Sequence, residues 1–419
     1  MRVFVKAALV MTFCALTAFL GVRTANAAGV VGDGTPGSCT DGAIQAAMNA
    51  GNGTISFNCG PNPVTIEMTT KLALAGQEFT IVGNPRITLD GNDLIQLFRV
   101  ENGGQLTLRN LVMINANGAQ GAALFVDTNG SATLRTVSIT DGGDDTASGG
   151  AIYNKGLLEV DNAFIMDNTA DVSGGAIYND TGAIASIRNS HILGNEAINP
   201  IANLGDGGGI YSKGELTIES STIYANDAKR FGGGLYFQTD DLSIVNATFA
   251  ENTADLGGAG GGGAIYAANS NTISLLNVTV ERNNADSGGG IWNAGGDVTL
   301  KNTIVANSST TADNGTPSLN CDGPSVTSGG HNLIGDGSCV SGSNSTDIRN
   351  TNPNLSFINH NGGFTPTLMP LAASPVIDAG DNTDCPAVDQ RGRPRPFNDL
   401  CDIGAVEYSL LVFLPAVEK

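Results

Sequence analysis

Down the middle of this 419-residue chain, short alternations of apolar and polar residues recur between gaps rich in glycine and asparagine. They include Leu158-Glu159-Val160, Leu216-Thr217-Ile218, Leu242-Ser243-Ile244, Ile273-Ser274-Leu275 and Val298-Thr299-Leu300. Period-two runs this short argue for strands, and the gaps are too short for helices of about ten residues. Ahead of each run stands a phrase of glycines, a branched or Leu residue, then an aromatic. It appears at Gly149-Gly150-Ala151-Ile152-Tyr153, Gly174-Gly175-Ala176-Ile177-Tyr178, Gly208-Gly209-Ile210-Tyr211, Gly233-Gly234-Leu235-Tyr236, Gly262-Gly263-Ala264-Ile265-Tyr266 and Gly289-Gly290-Ile291-Trp292. After the runs comes a hydrophobic-x-x-Asn step: Ile165/Asn168, Ile192/Asn195, Ile223/Asn226, Phe249/Asn252, Val280/Asn283 and Ile304/Asn307. Two degenerate copies precede these, one reaching Ile114 and Asn117, the other putting Gly142 where Asn belongs.

The anchors Ile152, Ile177, Ile210, Leu235, Ile265 and Ile291 are 25, 33, 25, 30 and 26 residues apart. A fixed phrase at such spacing predicts an all-β solenoid, each copy one turn of a stack. Three short strands per copy would wind into a parallel β-helix, with strands about 4.8 Å apart between coils. Eight coils from Leu106 to Asn307 predict a rod of roughly 40 Å. Branched residues and inward aromatics fill the interior, and the Asn column is expected to form an amide ladder at a bend. Paired glycines supply positive φ or close backbone approach there. The long inserts, 195–207 and 252–262, fall between coils without disturbing the register.

Charge and cysteines set the compartment. The chain carries 40 acidic residues against 20 basic ones, a formal net charge of −20. Arg2 and Lys6 precede an apolar run from Ala7 to Leu20, and Ala25-Asn26-Ala27 offers a small-residue cleavage site. This layout predicts a secretory signal peptide over residues 1–27. The run is too short to span a bilayer comfortably, so no transmembrane segment is expected after cleavage. Its loss removes three bases and no acids, leaving 17 bases against 40 acids and a charge of −23. Such a surface repels nucleic acid and suits cations. Besides Cys14 in the leader, six cysteines fall in three local pairs, Cys39/Cys59, Cys321/Cys339 and Cys385/Cys401, all outside the repeats. Proximity favours these as disulfides, each worth about 3 kcal/mol in the chain-entropy estimate. No C-x-x-C spacing supports metal ligation.

A solenoid needs caps over its terminal coils. Thr40 or Asp41 is placed to N-cap a short helix over 42–49, whose Ala43, Ile44, Ala47 and Met48 make an apolar stripe. After Asn307 the repeat gives way to a loop rich in Ser, Thr, Gly and Asn, then to Pro/Gly-dense segments. There Arg391, Arg393 and Arg395 stand among many carboxylates, as expected of an ion-paired cap. The segments Gly330-His331-Asn332-Leu333-Ile334-Gly335-Asp336, Asn361-Gly362-Gly363-Phe364-Thr365-Pro366-Thr367, Asp389-Gln390-Arg391-Gly392 and Asp402-Ile403-Gly404-Ala405 resemble the C-terminal module of bacterial secreted proteins of the choice-of-anchor Q group. The glycine phrase with its Asn step is similar, more loosely, to repeats of chlamydial polymorphic outer-membrane proteins. These resemblances imply a right-handed parallel β-helix of the pectin-lyase-like class, at the cell surface or released. The expected organisation is signal peptide 1–27, N-terminal cap 28–85, β-helix 86–307, C-terminal cap 308–408 and tail 409–419. No anchoring motif follows Tyr408, so release or non-covalent retention is expected.

The fold class also contains polysaccharide lyases and glycoside hydrolases, so candidate chemistry is weighed by residue. Asp141, Asp144 and Asp145 cluster where one coil lost its Asn, and Lys229 and Arg230 interrupt another, giving acids and bases for glycan cleavage. Asp171, Asp255 and Asp286 precede glycine phrases, with Asp206 near the same column. Stacked at coil spacing they would repel one another unless a cation such as calcium bridged them. Solvated turn acids are the plainer expectation. No cofactor is required. His191, His331 and His360 show no metal spacing and are expected to be turn or surface residues. The regular inserts, poor in aromatics, favour a structural or adhesive surface module that binds glycan or cell envelope. A lyase or hydrolase, and a passive surface-layer component, are the alternatives.

Overall fold

The computed structural model describes residues 29–143, 148–199, 204–254, 260–268, 272–310, 319–324, 326–340 and 344–409. The expected signal peptide, the tail beyond 409, and Asp144, Asp145 and Asp255 lie outside them.

The alternating runs build a parallel β-solenoid of about 11 turns. A complete coil carries four strand segments, one more than expected: Ile152–Asn154, Leu157–Asp161, Phe164–Met166 and Thr169–Ala170 in one example. The two-residue segment is too short to show any alternation, which is why the sequence pattern did not announce it. Pairing between coils is in register, as in the inward column Leu158, Ala185, Leu216, Leu242, Ile273 and Val298. The anchors Ile152, Ile177, Ile210, Leu235, Ile265 and Ile291 form a second column, none more than 1% exposed. The long inserts leave this register intact.

The stack runs past the eight coils counted in the sequence. Gly29–Val31, Gly53–Phe57, Leu72–Ala75 and Glu78–Asp90 pair into it on one side, and Cys321–Asp322, Thr327–Ser328, Leu333–Ile334 and Ile348–Arg349 on the other. These coils lie largely in segments expected to be caps, and they lack both the glycine phrase and the Asn step. Cys321 consequently sits within a coil, paired across from Ile291, and not outside the repeats. All three disulfides form as expected, Cys39–Cys59, Cys321–Cys339 and Cys385–Cys401. The helix Asp41–Asn49 caps the first coil, with the Thr40 hydroxyl accepting from Ala43 N and with Ile44, Ala47 and Met48 buried. The Asp41 carboxylate accepts the backbone N–H groups of Thr69 and Thr70.

The glycines behave as expected. The first glycine of the turn, three residues before each anchor, is left-handed, as at Gly149 (φ 68°), Gly174 (φ 69°) and Gly207 (φ 66°). The second is in close contact with the next coil, where a Cβ on Gly175 would stand 2.2 Å from Gly208 O. The aromatics are a correction. Alternation points Ile152 and Asn154 inward, so Tyr153 between them points out. Phe125, Tyr153, Tyr178, Tyr211 and Tyr236 form an external ladder separate from the core, its ring centroids 4.6 to 5.7 Å apart.

The C-terminal residues from about 353 to 408 do not close the end of the stack alone. They run back along its side as an irregular strap, held to the coils at Asn302, Asn277, Asn246 and Thr222. Inside it, Arg391 forks Asp389 at 2.9 and 2.7 Å, and Arg395 donates to the carbonyls of Asp402 and Gly404. That is the ion-paired arrangement expected from the composition.

Candidate functional site

The five-residue strands stack into one long face of the rod. Their burial alternates, exposed at the ends and inward at the second and fourth positions. The middle outward position stacks Thr107, Thr133, Glu159, Ser186, Thr217, Ser243, Ser274 and Thr299. Beside this hydroxyl column runs a charged one, Arg109, Arg135, Asp161, Arg188 and Glu219. Two shallow grooves open on the face. One, of about 490 Å³, is lined by Arg135, Glu159, Asp161, Ser186 and Arg188. The other, of about 480 Å³, is lined by Ile184, Glu215, Asp240, Asp241 and Thr272. Opposed charges lie one coil apart, as Arg188 Nε and Glu219 do at 3.4 Å.

Where this face ends, the chain turns sharply through one left-handed residue per coil. Asn110, Thr136, Asn162, Asn189, Ser220, Asn246, Asn277 and Asn302 have φ between 46 and 54°. Asn tolerates this region because its short side chain bonds locally. Sequence reasoning missed this second asparagine column. Its signal is an Asn just past most alternating runs, weakened because Thr136 and Ser220 hold the place in two coils.

Another side carries the external aromatic ladder and a half-buried ion pair. Arg230 Nε and Nη2 bind Asp206 at 3.0 and 2.5 Å beside Phe231. Burial pushes the Asp206 carboxyl up despite that partner, while the carboxylate raises the Arg230 guanidinium. Burial likewise raises the phenols of Tyr153, Tyr211, Tyr236 and Tyr266, that of Tyr236 to about 12, so these four stay neutral. Tyr153 Oη donates to Asp180 at 3.0 Å. Neighbouring rings cover one another's faces, so Trp292, edge-on to Tyr266, ends a structural ladder.

The candidate residues fall as follows. Asp141 takes a left-handed bend (φ 55°) in a groove of about 360 Å³ with Asp93 and Asp167. Lys229 donates to Asn199 O three coils further along, roughly 14 Å away at coil spacing, so Asp141 and Lys229 do not meet. Arg230 is engaged by Asp206. Asp206 aligns with Ser173, two positions past Asp171, and Asp286 accepts from Gly260 N. Asp171, Asp206 and Asp286 therefore do not share one column. Among the described residues no group of three or more His, Cys, Asp or Glu could hold a metal ion. His191 departs from the expected surface place, buried under the strap beside Phe164.

Among the described residues no helix is long and apolar enough to cross a membrane. No solved structure matches the chain. Residues 246–268 match the Chlamydia polymorphic membrane protein (Chlamydia_PMP) repeat. Over 89 residues the chain is 38% identical to the probable outer membrane protein PmpB of Chlamydia muridarum (strain MoPn / Nigg). That match covers 20% of this chain and 5% of the chlamydial protein, so the likeness is one of repeats within a much longer relative.

Proposed function

We propose that this chain is a cell-surface structural and adhesive module whose long face binds polysaccharide of the cell envelope. In this reading it is a right-handed, pectin-lyase-like rod with a choice-of-anchor Q-like strap. The observation that carries it is the face itself, a hydroxyl-rich column from Thr107 to Thr299, flanked over the coils from Arg109 to Glu219 by guanidinium and carboxylate groups. A repeating polymer can engage several coils at once, and linked weak contacts add to a useful avidity. The signal-peptide layout, the disulfides and the likeness to an outer membrane protein support a place at the surface. The test is retention of the protein on a panel of immobilised glycans. Arg135→Glu with Arg188→Glu should weaken retention about tenfold, at the level of two lost charge contacts. Retention indifferent to both changes would remove the face from the account.

One observation favours glycoside hydrolysis as a second reading, the groove that gathers Asp93, Asp141 and Asp167. Asp167 leans the wrong way for a pair with Asp141, toward Gly194, where a Cβ would meet its Oδ1 at 2.6 Å. Asp141→Asn would abolish turnover if this reading held. Calcium belongs to the same test, since a bridging cation would make binding or turnover sensitive to a chelator.

A further inference from the structure

The strap shows what the bend column recognises. Asn302 Nδ2 donates to Asp381 O at 3.0 Å, Asn277 Nδ2 to Asp402 O at 3.1 Å and Asn246 Nδ2 to Val388 O at 2.8 Å. One coil further on, and two residues past the bend, Thr222 Oγ1 donates to Pro366 O at 2.6 Å. Each is a side chain of the rod holding a main-chain carbonyl of the strap, which passes over the column more than once, since residues 381, 402, 388 and 366 follow one another down the rod. The strap's cover reaches Phe364, whose ring meets Phe164 at a centroid distance of 5.1 Å.

The column continues past that point. Asn162, Thr136 and Asn110 follow in register with φ of 52, 54 and 52°. Beside them a groove of about 390 Å³ runs from Phe364 and Phe164 to Gly83, floored by Leu111, Val112, Val137 and Ser138. Among the described residues no side-chain hydrogen bond engages Asn110 or Asn162, unlike their counterparts beneath the strap.

We infer that this groove seats an extended polypeptide segment of a second protein, lying in the strap's own track. Its backbone carbonyls meet the Asn110 and Asn162 amides, and an apolar side chain lies over Val112, Val137 and Phe164. Continuity with the strap interface argues for polypeptide, because three asparagines at this register, Asn246, Asn277 and Asn302, already hold main-chain carbonyls. The floor argues against glycan, whose hydroxyls would be desolvated against Leu111, Val112 and Val137 without partners. The volume suits a few side chains of such a segment. This face is distinct from the long face, so the inference does not depend on glycan binding.

The test begins with a random decapeptide library displayed against the whole chain, followed by titration of the selected synthetic peptide. Ser138→Arg fills the groove from a half-buried outward position, and an unchanged melting curve verifies its fold. Phe357→Ser, on the strap and 81% exposed, is the control. The expected result is an apolar-containing peptide whose binding falls about tenfold or more with Ser138→Arg and is unchanged with Phe357→Ser. No selected peptide, or binding indifferent to Ser138→Arg, overturns the inference. Peptide binding only after truncation at Ser409 would assign the groove to the chain's own end, and the second protein would fall from the account.

Discussion

Asn226 spends every hydrogen-bonding capacity of its side chain inside the rod. Its Nδ2 donates to Ile192 O at 3.0 Å and Asn252 Oδ1 at 2.9 Å. Its Oδ1 accepts from Asn195 N at 3.0 Å and Asn195 Nδ2 at 2.9 Å. The same pattern links Asn168, Asn195, Asn226, Asn252 and Asn283 into the amide ladder that the hydrophobic-x-x-Asn step predicted. Asn226→Ala orphans donors and a carbonyl at a site 0% exposed. It should cost about 3 kcal/mol in denaturant unfolding, toward the upper end for buried groups left unpaired. Asn307→Gly should cost less, about 1.5 kcal/mol, because it loses only the bond to the buried Glu281 carboxylate. Asn307 lies outside the ladder, and glycine keeps its left-handed backbone. Its φ is 50°, and Ser308 takes the ladder place beside Asn283 and Asn320. The last step was misread because Val305, and not Ile304, aligns with Val280. A one-residue slip exchanges the faces of a strand, and two adjacent branched residues hide which one is inward. At the N-terminal end the same slip separates Asn117 from the column, since Met113 pairs with Ile139.

His191 makes docking of the strap sensitive to acid. His191 is buried beneath it, with Nε2 unpartnered and its ring 5.9 Å from that of Phe164. Burial, and secondarily the nearby His360, pulls its pKa down to about 4. The exposed value is about 6.5, so the docked state binds fewer protons than the released one. The His191 contribution to docking is therefore full above about pH 6.5 and is lost as pH falls toward the folded value, by at most about 1.4 kcal/mol per unit, while Asp402 in the strap, raised by burial to about 7, works in the opposite sense. Hydrogen exchange of strap amides at about pH 7 and about pH 5, corrected for intrinsic rates, should show the strap losing more protection, or gaining less, than it does in His191→Leu. Equal pH dependence in both proteins would exonerate His191. The composition of the strap was legible in sequence, down to arginine forks among carboxylates. Its course was not, because a Pro/Gly-rich segment without period carries no signal of the surface it covers. The external tyrosines were misplaced for a related reason. A phrase of one branched residue and one aromatic is too short to say which of the two faces in.

As a whole, the molecule is a stack in which each coil leans on its neighbours, so its ends govern its integrity. Removing the Cys39–Cys59 bridge by paired serine substitution should destabilise the first coils by about 3 kcal/mol while central coils keep their exchange protection. Uniform loss along the rod would show that it unfolds as one unit. The solenoid itself was legible because its periodic glycine phrase and alternating strands agree on one architecture. The long face was legible only as alternation. Which outward residues form a continuous column depends on register across inserts of unequal length, and that is fixed in three dimensions. The most direct test of the surface-module reading incubates the chain with acidic and neutral polysaccharides, with and without EDTA. Retention, reducing ends and unsaturated-uronate absorbance are followed together. The account predicts saturable retention on at least one polymer and no product on any. Product formed only with calcium would replace the module with a lyase, and calcium-independent reducing ends would replace it with a hydrolase.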